Sequence, residues 1–103
     1  MSEVNVIATL HVIEHAKAAV KTHMKKLVEL SRAESGCLRY DFYQINAKGV
    51  PGVENTGGDF VVIERWKNIG ALNSHAESDH FTAFAGSFNK DEMNITLQLI
   101  DEI

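Results

Sequence analysis

Phe60-Val61-Val62-Ile63-Glu64-Arg65-Trp66 runs straight into a helical segment that carries His75 and His80. In an extended strand, successive side chains point to opposite faces. Phe60, Val62, Glu64 and Trp66 therefore share one face, and Val61, Ile63 and Arg65 the other. Glu64 lies between Val62 and Trp66 on a face that helices would cover, where an unpaired carboxylate is costly. An acid beside an indole, with imidazoles on the next element, is the material of a small acid–base pocket.

Outward from this strand the chain changes period cleanly. Val4, Val6, Ala8, Leu10 and Val12 alternate with Asn5, Ile7, Thr9 and His11, as in a strand. Residues 15–33 follow a helical period, with Ala16, Val20, His23, Met24, Leu27, Val28 and Ser31 as the stripe and His23 as a core histidine. Gly36 is placed as the C-terminal glycine. Residues 37–45 read as a second strand, with Tyr40 and Tyr43 on opposite faces, and 46–59 as a Gly-rich loop. Asn68 caps a helix from Ile69, and its register breaks near Ser78-Asp79. Phe81, Phe84 and Phe88 then form a new stripe, and Ile95, Leu97 and Leu99 alternate in a last strand. This order, βαββαβ, is the ferredoxin-like α+β arrangement, with a four-stranded antiparallel sheet and its helices on one face. The other face carries Val61 and Ile63, too apolar to stay wet, so a homodimer through that face is expected.

The chain has 103 residues, read as one domain over 1–103, with 45% hydrophobic residues and a net charge of -4. That charge, with a pI near 5.7, argues against a nucleic-acid partner. No segment reaches membrane-spanning length, and Met1-Ser2-Glu3-Val4-Asn5 lacks a cationic leader region. The single Cys37 excludes an intrachain disulfide and a Cys-based metal cluster, and a reducing, cytoplasmic setting fits. No metal site is expected either: His75 and His80 would stand about 140° apart on one helix unless the break at Ser78 reorients them.

Glu34-Ser35-Gly36 followed by Tyr40, then Val62-x-Glu64-x-Trp66, then Leu72-x-x-His75-x-x-Ser78-x-His80-Phe81 resemble the antibiotic biosynthesis monooxygenase family. The resemblance implies a dimeric α+β barrel with a pocket between each sheet and its helices. Haem-degrading members carry a second Trp and an iron-binding His where this chain has His75 and Ala85, which removes the axial ligand. Polyketide-tailoring members carry an Asn at the position of Val62, which has no hydrogen-bonding group. The pattern looks most like the quinol monooxygenases.

The expected activity is therefore a cofactor-independent oxidation of a small quinol-like aromatic by O2, with neither flavin nor haem. His75 is the candidate base, and Glu64 either orients it or pairs with Arg39. Trp66, Tyr40, Tyr43, His80 and Phe81 are candidate substrate contacts. Two alternatives stand beside it: an isomerase of a small phosphosugar-like substrate, which would want Arg39 or Arg65 in the pocket, and a non-catalytic ligand-binding dimer.

Overall fold

A computed structural model describes residues 2–103; Met1, the first residue of the stretch read for a leader, lies outside them. Strand β1 (Val4–Val12) leads through a 3-10 turn (Glu14–Ala16) into helix α1 (Lys17–Arg32). Strands β2 (Cys37–Gln44) and β3 (Phe60–Trp66) follow, then the short helices α2 (Ile69–Ala76) and α3 (Asp79–Gly86), and finally β4 (Met93–Ile100). The sheet is antiparallel with order β2-β3-β1-β4. This is the expected ferredoxin-like arrangement, a two-layer slab of 39 × 35 × 20 Å.

Alternation sets the layers. Val6, Ala8, Leu10 and Val12 of β1 and Phe60, Val62, Glu64 and Trp66 of β3 are all buried under the helices. From α1 the stripe Ala16, Val20, Met24, Leu27 and Ser31 packs onto them. His23 is not part of it. With one sheet beneath the helix the buried stripe is narrow, and His23 is exposed at its margin, its ring 5.2 Å from that of Phe88.

Gly36 also differs from expectation. It has no positive φ and is not a helix-terminating glycine in the left-handed region. Its use is close approach: a Cβ there would collide with the Ala71 methyl. The end of the α1–β2 turn thus lies directly against the start of α2, and Lys67 N–H donates to the Gly36 carbonyl at 2.8 Å.

Between α2 and α3 the chain turns at Ser78. Asn68 caps α2 as expected, its side chain accepting from Ala71 N–H at 2.9 Å. The Ser78 hydroxyl serves both helices, donating to the His75 carbonyl at 2.7 Å and accepting from Phe81 N–H at 3.2 Å. The register break therefore falls where the sequence places it, and it redirects the side chains that follow. Among the described residues no helix is long and apolar enough to cross a membrane.

Candidate active site

His75, at the C-terminal end of α2, is buried between sheet and helices. Its ring packs on Trp66 (centroids 4.7 Å apart), Tyr40 (5.2 Å) and Phe81 (5.1 Å). Its Nδ1 lies 2.7 Å from Glu34 Oε2, and His80 Nε2 lies 2.7 Å from the same oxygen. A carboxylate oxygen accepts, so each of these ring nitrogens donates. That fixes the His75 tautomer and leaves Nε2 as a lone pair, 3.5 Å from the Tyr40 hydroxyl.

On one continuous helix His75 and His80 would stand about 140° apart, and the sequence left their meeting to the break at Ser78. The Ser78 turn puts them on two helices whose side chains converge, and Glu34 joins them from the turn after α1. The acid that orients His75 is therefore Glu34 and not Glu64. Nor does Glu64 pair with Arg39, which belongs to the opposite sheet face and bonds Asp41 at 2.7 Å. Glu64 instead accepts from Trp66 Nε1 at 2.9 Å.

A cavity of about 70 Å³ lies against this group, lined by Tyr40, Glu64, His75 and Phe81 among apolar neighbours such as Leu72 and Leu97. Burial dominates its electrostatics. It pushes the Glu64 carboxyl up to about 7, against the opposing hydrogen bond from Trp66. It raises the Tyr40 hydroxyl well above its usual range, so Tyr40 stays a donor. It lowers His75, with Glu34 acting in the opposite direction. A neutral imidazole at the wall of an apolar cavity, its Nε2 met only by the Tyr40 hydroxyl at 3.5 Å, is a competent proton acceptor.

Of the residues singled out from sequence, Tyr40, Glu64, His75 and Phe81 meet at the cavity. His80 does not line it; it is joined to His75 through Glu34 and faces a groove between α1 and α3. Trp66 is fully buried behind His75 and is not part of the lining. Tyr43 stands on the open sheet face, 46% exposed, away from the cavity. A wider cleft of about 540 Å³ lies between α1 and the β2–β3 loop. Its Lys17 is already paired with Asp59 and Glu14, and it brings together no comparable donor–acceptor set.

The sequence model of the antibiotic biosynthesis monooxygenase family matches residues 4–87, which span every element but β4. The chain belongs to this family. It is 34% identical to YcnE of Bacillus subtilis over 74% of this chain and 70% of that protein. It is 30% identical to a protein of Escherichia coli named "Probable quinol monooxygenase YgiN", over 82% of this chain and 83% of the relative. Among solved structures, PA3566 from Pseudomonas aeruginosa superimposes with a TM-score of 0.82 at 27% identity, covering 100% of this chain and 96% of that one.

Proposed function

We propose that this family member is a cofactor-independent monooxygenase of small quinol-like aromatics, with His75 as the base. The observation that carries the reading is the orientation of His75 at the wall of an apolar cavity: Nδ1 is held by Glu34, and Nε2 keeps its lone pair, with only the Tyr40 hydroxyl near it at 3.5 Å. The kinship with a relative named as a quinol monooxygenase supports it. A quinol hydroxyl at Nε2 gives up its proton to His75, and the resulting anion is electron-rich enough to reduce O2. One oxygen atom ends on the ring and the other leaves as water, so quinol and O2 become hydroxyquinone and water. The imidazolium formed at His75 is stabilised by the Glu34 carboxylate, and Glu64, neutral below about pH 7, can donate to a second substrate oxygen.

Size matters as well. At about 70 Å³ the cavity is smaller than the roughly 150 Å³ known to admit benzene. Entry of a ring therefore requires the half-buried Leu72, Phe81 and Ile95, with Leu97, to move aside. Such a wall selects for small, flat, apolar substrates. The isomerase alternative is less favoured, because among the described residues no lysine or arginine lines the cavity to meet a phosphate, and Arg39 and Arg65 are exposed.

A panel of quinols and phosphosugars, assayed in air and under nitrogen with an oxygen electrode, tests the reading. Oxygen uptake should accompany quinol loss and cease under nitrogen. Equal turnover under nitrogen would replace oxidation by isomerisation.

A further inference from the structure

We propose that Glu34, His75 and His80 form a binding site for a borderline transition-metal ion, for which Zn²⁺ is the best match. One carboxylate oxygen and two imidazole nitrogens, from three separate elements, lie within 4.8 Å of one another. Both nitrogen–oxygen separations are 2.7 Å. Donors around one tetrahedral zinc ion, each at about 2.0–2.2 Å from it, stand roughly 3.3–3.6 Å apart. Two of the three edges of the donor triangle, now closed by shared protons, thus need to open by less than about 1 Å once an ion replaces those protons.

The charge balance points the same way. Among the described residues no lysine or arginine lies within ion-pair distance of Glu34, whose ionic partners are the two imidazoles. Its side chain is 17% exposed, so its negative charge is poorly hydrated and is met only by N–H dipoles unless an imidazole is protonated. A divalent ion would supply that charge. The access is suitable too: His75 is 4% exposed, whereas Glu34 and His80 are 17% and 20% exposed, and His80 lines the groove between α1 and α3, which leaves room for a solvent ligand. Nitrogen donors in this number favour zinc and its neighbours over magnesium or calcium, which prefer all-oxygen sites.

Binding requires each imidazole to present a lone pair to the ion. The proton on His75 Nδ1 must then sit on Nε2, where the Tyr40 hydroxyl at 3.5 Å is placed to accept it as an outer-sphere partner. A His75 held in that form has no lone pair toward the cavity. Metal occupancy therefore opposes base chemistry at His75. The proposal goes beyond the reading of His75 as a base and does not depend on it, because binding is measured without any substrate.

Tag-free protein titrated with Zn²⁺ in a non-coordinating buffer at neutral pH, by calorimetry, is the test. The wild type should bind one ion per chain at this site. Glu34→Gln and His80→Asn, checked for fold by circular dichroism, should each weaken binding by at least about tenfold. His15→Asn, which removes an exposed imidazole 3.9 Å from Glu92, should change nothing. In the unmutated protein, Zn²⁺ should shift the imidazole nitrogen resonances of His75 and His80 before those of His11, His15 and His23. No binding, binding unchanged in both triad variants, or shifts confined to the exposed histidines would overturn the proposal.

Discussion

The indole N–H of Trp66 donates to Glu64 Oε1 across 2.9 Å, joining two buried side chains that point the same way from one strand. The bond satisfies the indole but does not offset what burial costs the ionised acid. The Glu64 carboxyl, near 4.5 in an unfolded chain, titrates at about 7 in the native one. Between those values the native protein binds more protons than the unfolded chain, so this residue's contribution to stability falls as pH rises. The full penalty, about 3 kcal/mol, is reached above about pH 7. Glu64→Gln should match the wild type near pH 4.5 and exceed it in stability at pH 8. Urea unfolding at the two pH values measures this, and parallel pH curves for the two proteins would refute it.

His75→Ala should lower kcat for quinol oxidation by about a hundredfold or more, the usual contribution of a general base. Glu34→Gln keeps an acceptor for Nδ1–H but removes the charge that stabilises the imidazolium. It should lower kcat by about tenfold to a hundredfold with little change in KM. Normal oxygen uptake with Ala at position 75 would remove His75 from the mechanism.

Trp66→Ala should destabilise the protein by about 3–5 kcal/mol, since the ring is fully buried and its loss leaves both a cavity and an unpaired Glu64 oxygen. Trp66→Phe should recover most of the packing but not the hydrogen bond. Denaturant midpoints for the two variants separate these contributions. A Trp66→Ala protein as stable as the wild type would show that the indole is not a core element.

The chain exposes 7003 Å², against roughly 5,800 Å² expected for a monomer of its mass. Ile7, Val61 and Ile63 line the open sheet face, with exposed Tyr43 beside them. A dimer through this face is the expected assembly. Light scattering at micromolar concentration should give twice the chain mass, and Ile63→Asp should halve it or prevent folding. A monomeric wild type would contradict this.

Strand alternation and helical period carried the fold in the sequence, because each element is amphipathic on the side that packs. The placement of Glu64 and Trp66 on one buried face followed from alternation alone. Glu34 was different. It sits in a turn, where no period marks it, and its partners are 41 and 46 residues away on other elements. The sole trace of it was its place in the Glu34-Ser35-Gly36 stretch that resembles the family pattern. The meeting of His80 with His75 hung on the break at Ser78, because angular spacing on one helix says nothing once the Ser78 hydroxyl has started a second helix in a new direction. His23 was assigned to the core because its position borders the stripe, and a single covering sheet made that stripe narrower than the pattern suggested.

Gly36 has no functional group, yet what it permits is metric. Its bare Cα lets the turn that carries Glu34 rest on Ala71, four residues before His75. A methyl group added there would push the two segments apart by a fraction of the width of an atom, enough to lengthen a 2.7 Å hydrogen bond beyond use while leaving every reactive group in place. In a complete substitution scan scored by turnover, positions 36 and 71 should therefore look like active-site residues, although neither can reach a substrate.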